Sequence, residues 1–324
     1  MYWNRVILDA IRDQLSAAMT IAFISHSDCR AHDMGMHHPE QPARLDAVEQ
    51  ALADSGLYDR LDRHDAPLAN LDHIARVHPR EYIEALREAS PERGIVHLDP
   101  DTAMCPGTWN AALRAAGAAV LATDLVASGR AVGAFCNIRP PGHHATRDRA
   151  MGFCFFNNVA IAVMHALEAH ALERVCVVDF DVHHGNGTEE VLSGDERALM
   201  VSIFQHPYYP YSGTDSPAPN MANVPLPAGS GGAALRKAVE ETWVPAIERF
   251  RPQMFFFSAG FDAHVEDDMA GLRFTDSDYG WVTQRMRQFA EAYAKGRMVS
   301  LLEGGYALEA LGRSAVEHIK ALGV

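Results

Sequence analysis

The sequence predicts an α/β domain doubly wound around a mostly parallel sheet, and two observations carry that prediction. Five runs, at 132–136, 175–180, 200–204, 254–257 and 298–302, are almost wholly apolar rather than alternating, as strands covered on both faces of a parallel sheet must be. Between them lie stretches with helical periodicity, at 108–128, 157–170, 232–249 and 276–294, so strand and helix alternate. A third observation places the chemistry. RPPGHH, DFDVHHGNG, SAGFDAH and LEGGY follow the first, second, fourth and fifth of these runs. Open parallel sheets bind ligands beyond the carboxyl ends of their strands, so four segments deliver reactive side chains to one edge.

Residues 3–18 have the spacing of an amphipathic helix, and TIAFISH from Thr20 reads as a first strand. The chain therefore divides into an N-terminal extension, 1–18, and one domain, 19–324, with no linker, repeat or low-complexity tract. A chain of 324 residues buries well over half of its unfolded surface and needs no disulfides. With 28 Lys and Arg against 42 Asp and Glu, the net charge of −14 argues against general nucleic-acid binding. The five cysteines, Cys29, Cys105, Cys136, Cys154 and Cys176, form no CxxC pair and read as buried reduced thiols. No apolar run long enough to span a membrane is free of charge, and Asp9, Arg12 and Asp13 stand where a signal peptide would be apolar, so a cytoplasmic address is expected. A homo-oligomer is compatible with all of this.

In extended backbone, Asp179, Asp181 and His183 point the same way at the end of a buried strand. Two carboxylates and an imidazole so close are costly without a cation, and their oxygen and nitrogen atoms suit zinc or a similar ion. Asp262, after MFFFSAGF, is the natural third ligand, leaving one coordination position for water. His143 and His144 follow a stiff Pro-Pro-Gly turn and are read as an acid/base pair beside the metal, with Asp179 and Asn186 as orienting partners. Two glycines before Tyr306 let the chain bring its hydroxyl back toward the strand ends as an oxyanion donor. Aromatics beside these turns, in GFCFFNN and at Tyr208-Tyr209, suit an apolar substrate arm or simply the core. The Gly-rich stretch at 229–232 lacks dinucleotide or phosphate-loop spacing, and no GxSxG is present.

These residues resemble one family closely, the histone deacetylase-like amidohydrolases, which include class II histone deacetylases and acetylpolyamine amidohydrolases. The motifs are HHPEQPARL at 37–45, RPPGHHA at 139–145, GFCFFNN at 152–158, DFDVHHGNGT at 179–188, SAGFDAH at 258–264 and LEGGY at 302–306. The resemblance implies the arginase/deacetylase fold, a single α/β domain on a parallel sheet of about eight strands flanked by helices. It implies one zinc ion on Asp181, His183 and Asp262, with His144 as general base and later proton donor to the leaving amine. His143 would pair with Asp179, and Tyr306 would hold the oxyanion. Asn186 stands where class I members carry Asp, the class II pattern. Gly152, Phe153 and Tyr209 fall on the tunnel wall, Tyr209 where Phe is usual. A structural potassium ion would lie on Asp179, Asp181 and His183, largely through backbone oxygen, with Ser202 and Ile203. A second monovalent site would fall near Leu192, Asp195 and Ala198.

The expected reaction is release of acetate from an acylated lysine or a related acylated amine. Polyamine-selective relatives place Glu at the tunnel mouth where this chain has Met269, which favours acyl-lysine, although Glu266, Asp267 and Asp268 are near. The alternatives are an acetylpolyamine amidohydrolase or, in a different class, a non-catalytic acyl-lysine reader, against which Tyr306 argues.

Overall fold

The apolar runs become strands with every residue buried: β5 (Gly133–Cys136), β6 (Val175–Asp179), β7 (Ala198–Gln205), β9 (Phe255–Ala259) and β10 (Met298–Leu302). The computed structural model describes residues 20–324; the helix expected at 3–18 lies outside the described residues. With β1 (Ile21–Ser25), β2 (Asp62–Asp65) and β8 (Met221–Leu226), these strands form one eight-stranded sheet. Its order is β2-β1-β5-β10-β9-β6-β7-β8, and every neighbouring pair is parallel. A separate antiparallel hairpin joins β3 (Val96–Asp99) to β4 (Thr102–Met104).

The two edges do not look like the centre. β2 is the polar, exposed run DRHD, and β8 carries Pro225, which donates no ladder bond. Charge and proline are what keep an open edge from pairing with another chain. Neither strand has an apolar run, so sequence pattern alone did not predict them.

Helices cover the sheet. Thr108–Ala127 and Asn158–Ala169 pack on each other and on the sheet, and the first is largely buried. It is the one helix among the described residues long and apolar enough to cross a bilayer, and its burial makes it a core helix. Ala43–Asp54, Asp276–Tyr293 and Leu308–Leu322 form a second packed group that reaches β5. The helix predicted over 232–249 forms but passes through a π turn at Val239–Trp243 between Gly232–Ala238 and Val244–Phe250. Pro245 supplies the reason, since it has no N–H to donate back into the helix ladder.

One polar group is sunk in the apolar interior. His318 lies among Phe135, Phe180, Phe257 and Phe261. Thr283 donates its hydroxyl to Tyr279 O at 2.7 Å, so its oxygen is left to accept from His318 Nδ1 at 2.6 Å. Ser300 Oγ then donates to His318 Nε2 at 2.7 Å. The ring is satisfied as a neutral imidazole, and burial pushes its pKa down to about 3. The unfolded chain gains a proton here below its ordinary value while the folded chain does not, so stability is complete above about pH 6.5 and falls as pH drops. In urea denaturation between pH 6 and 4, His318→Gln is expected to reduce that loss by up to about 1.4 kcal/mol per pH unit relative to wild type. An unchanged slope would show that another group carries the acid sensitivity.

Candidate metal and amide-hydrolysis site

Four central strands that neighbour one another, β5, β10, β9 and β6, end at the site. The loop after β6 carries Asp181 and His183, and the loop after β9 carries Asp262; one ligating atom from each lies within 4.8 Å of the others. All three residues are buried. His183 Nδ1 is 3.0 Å from Asp181 Oδ1 and 3.3 Å from Asp262 Oδ2. A single proton on that nitrogen satisfies only one carboxylate well, and Asp262 Oδ2 has no hydrogen-bond partner. The remaining lone pairs are fixed from outside: Gly304 N donates to Asp181 Oδ2 at 2.9 Å, His183 N to Asp181 Oδ1 at 2.8 Å, and Val182 N to Asp262 Oδ1 at 2.9 Å. A Cβ at Gly304 would collide with the carboxylates of both aspartates, so only glycine fits there. Burial and the charge of Asp181 push the Asp262 carboxyl above its usual range. A buried orphan oxygen, two crowded carboxylates and an imidazole nitrogen aimed between them fit a divalent cation.

A second group of ligand-type residues behaves differently. Asp124 Oδ1 lies 2.8 Å from His165 Nε2 and 2.7 Å from His170 Nε2. However, Arg76 Nη1 donates to His165 Nδ1 at 2.7 Å. That places the ring proton on Nε2, where it is donated to Asp124, and leaves no lone pair for an ion. This cluster is a satisfied hydrogen-bond network.

Beside this candidate metal cluster sit His143 and His144, their ring centroids 4.1 Å apart. Their far nitrogens meet different partners: His143 Nδ1 lies 3.1 Å from Asp179 Oδ2, and His144 Nδ1 lies 2.8 Å from Asn186 Oδ1. The two rings are also split in basicity. Burial disfavours charge on both, but the carboxylates of Asp181 and Asp179 prevail at His143 and push it up to about 10. Burial and the neighbouring imidazoles hold His144 well below its ordinary value. Glu303, from LEGGY, holds the histidine turn by accepting from Gly142 N at 2.6 Å and His143 N at 3.1 Å. Burial pushes its own carboxyl up to about 7.

Aromatic rings pack against these residues. Tyr209 packs edge-on to His144 at 5.3 Å, and Tyr208 stacks on His183 at 5.7 Å. Phe153 packs edge-on to Tyr306 at 6.0 Å and to His38 at 4.7 Å. Phe153 itself has φ 69°, and Gly152 before it has φ 56° with no room for a side chain against the His144 ring. Met269 is half-buried in the loop after β9, and its carbonyl accepts from the Tyr208 hydroxyl.

Beneath Tyr306 lies an ion network that sequence reasoning did not assign. Glu40 and Arg44 come from HHPEQPARL and Arg139 from RPPGHHA, and all three are fully buried. Glu40 accepts from Arg139 Nη2 at 2.5 Å and Arg44 Nη1 at 3.1 Å. Arg44 Nε donates to Gly305 O at 2.6 Å, and its guanidinium lies 4.9 Å from the Tyr306 ring centre. The motifs contained these residues; what was missing was which long-range partner each would find.

The expected ion positions are distinct. Ser202 pairs with Asp179 across β6 and β7, and its buried hydroxyl has no hydrogen-bond partner. The carbonyl oxygens of Leu192, Asp195 and Ala198 do converge, but on the amide nitrogen of Asn220, at 2.8, 3.2 and 3.0 Å. Asn220 Oδ1 accepts from Gly194 N at 3.0 Å, which fixes the amide orientation. A side-chain amide therefore stands where the resemblance placed a second monovalent cation. Asn220→Ala is expected to cost about 1–3 kcal/mol in potassium-free buffer through three lost carbonyl partners. Added potassium should raise its Tm more than that of wild type, as thermal unfolding across a potassium titration would show; equal rises would mean the three carbonyls do not recruit an ion.

Fold and site together define a class: a parallel α/β domain with a candidate metal centre, a histidine pair and a tyrosine loop at its strand ends. Comparison with known proteins gives the family. The chain belongs to the histone deacetylase family, whose domain model matches residues 38–322. It is 39% identical to a histone deacetylase-like amidohydrolase of Pseudomonas aeruginosa over 83% of this chain and 72% of that protein. It is 38% identical to the chloroplastic histone deacetylase 14 of Arabidopsis thaliana over 88% of this chain and 73% of that one. The crystal structure of the HDA15 HD domain superposes with a TM-score of 0.87 at 30% identity, covering 94% of this chain and 88% of that one. The chain is accordingly an amidohydrolase of the deacetylase family.

Proposed function

We propose that the protein is a zinc-dependent deacetylase of acylated lysine side chains that releases acetate. The observation that carries this reading is the meeting, at one sheet edge, of the Asp181–His183–Asp262 cluster with a histidine pair whose two members have unlike partners. Two carboxylates and one imidazole suit zinc and leave a position for water. When bound, zinc lowers the pKa of water toward about 7 and polarises an amide carbonyl. His144, held by a neutral amide, keeps a nitrogen free to take the proton of the attacking water and to return it to the departing amine. His143, held by Asp179, is suited to carry positive charge beside the developing negative charge. The Tyr306 hydroxyl donates to the carbonyl oxygen as it becomes an oxyanion. Phe153 and Tyr209 wall off water around an extended acyl arm.

Substrate choice follows from the tunnel mouth. Glu266 is engaged by Arg313 at 2.7 Å, and Asp267 is buried, so of the acidic residues flanking Met269 only exposed Asp268 is free of an ion pair or burial. A half-buried Met with one exposed carboxylate nearby favours the neutral stem of an acyl-lysine over the distant ammonium of a polyamine. The unpartnered Ser202 hydroxyl supports a single potassium ion there, with Ile203 and the backbone of Asp179, Asp181 and His183. Five buried free thiols support a reducing, cytoplasmic setting.

Tyr306→Phe is expected to keep its zinc and lose about 10²–10³-fold in rate, the usual cost of one oxyanion donor. Acetate release and metal content measured on the same sample check this; near-normal turnover would overturn the role. In parallel assays the wild type should cleave an acetyl-lysine peptide faster than an acetylated polyamine. The reverse order would overturn the gate assignment while leaving the chemistry intact.

A further inference from the structure

Tyr306 stands on Gly304-Gly305, the second with φ 118°. A Gly-Gly turn has little conformational preference of its own, so the direction of the phenol has to be imposed from outside. Arg44 does this from one side through the carbonyls of Glu303 and Gly305. The other side is held by Asp267. Its Oδ2 accepts from Tyr306 N at 2.6 Å and from Ala307 N at 2.9 Å. Its Oδ1 accepts from Met269 N at 2.9 Å. The carboxylate is buried, and among the described residues it forms no ion pair. Three backbone N–H groups satisfy it instead, and Ala307 is the N-cap of the Leu308–Leu322 helix, where negative charge is favoured.

One side chain thus ties the loop after β9, with Met269 at the tunnel mouth, to the loop after β10, with Tyr306. We propose that Asp267 is a positioning residue that aims the Tyr306 hydroxyl at the substrate carbonyl and couples that aim to the tunnel-mouth loop. The proposal rests on the reading of Tyr306 as the oxyanion donor. Asn at 267 presents one accepting oxygen and one NH2, so its NH2 must face either Met269 N–H or the Tyr306 and Ala307 N–H pair. Either arrangement lets one loop slip, and a displacement of about 1 Å at a reacting group can cost on the order of 10²-fold.

The test is a double-mutant cycle on zinc-loaded full chain, assayed with an acetyl-lysine peptide. Asp267→Asn is expected to lower kcat about 10–100-fold, with KM within about threefold and one zinc retained per chain. In a Tyr306→Phe background the same substitution should cost less than about twofold more, because its target is already gone. A kcat close to wild type in Asp267→Asn, or a loss that multiplies fully with that of Tyr306→Phe, would overturn the proposal. A Tyr306→Phe variant that is itself fully active would instead remove the oxyanion reading, and that single variant identifies this outcome without reference to Asp267. If Asp267→Asn does not fold, Asp267→Glu serves. It keeps the charge but shifts it by one methylene, so a lowered kcat in folded, zinc-loaded protein supports the role, and an unaltered kcat overturns it.

Discussion

Asp181 and Asp262 are two carboxylates held within one coordination sphere of each other in the interior of the protein, and much of the surrounding structure answers that placement. Their strands, β6 and β9, are direct neighbours in the sheet, so the two loops leave the same edge side by side. Backbone N–H groups of Val182, His183 and Gly304 take up the lone pairs that point away from the centre. What remains is an inward cluster of oxygen and nitrogen that a cation balances far better than any proton arrangement. The absence of a side chain at Gly304, the burial of His183 and the split between the two histidines above it all follow from building around that cluster.

The second layer uses the same device repeatedly. Buried acidic side chains hold backbone amides of loops that would otherwise be loose: Glu303 the histidine turn, Asp267 the tyrosine loop. Where the acid meets cations instead, as Glu40 does with Arg44 and Arg139, the guanidinium groups spend their other donors on carbonyls, including Gly305 and Cys29. Loops gain rigidity from these buried hydrogen bonds to one another, which is how a site made largely of connecting segments keeps its geometry.

The legible parts of the fold were those with one dominant physical signal. Strands β5, β6, β7, β9 and β10 are apolar on both faces because both faces are covered, and their sequences say so within a residue or two at either end. β2 and β8 gave no such signal, since an edge strand is selected for polarity and proline rather than burial. The helix at 232–249 was legible by periodicity, but its π turn was not, because one missing N–H at Pro245 does not alter the apolar pattern. At the site, alternation along 179–183 placed three side chains on one face, and the Pro-Pro-Gly and Gly-Gly turns located the histidines and the tyrosine.

Sequence alone therefore determined which residue types stand at the carboxyl ends of the central strands, because a buried parallel strand and the polar turn after it are local patterns. Tertiary structure decided which of those residues meet. Arg44 reaches Gly305 across 261 positions of chain, and Asp267 reaches Tyr306 across 39, separations over which local pattern holds no information. It also brought the carbonyls of Leu192, Asp195 and Ala198 together around the Asn220 amide, and decided that His165 is a hydrogen-bond donor rather than a ligand. In each case the deciding fact is the partner on the far side of a nitrogen or oxygen, and folding alone brings that partner within reach.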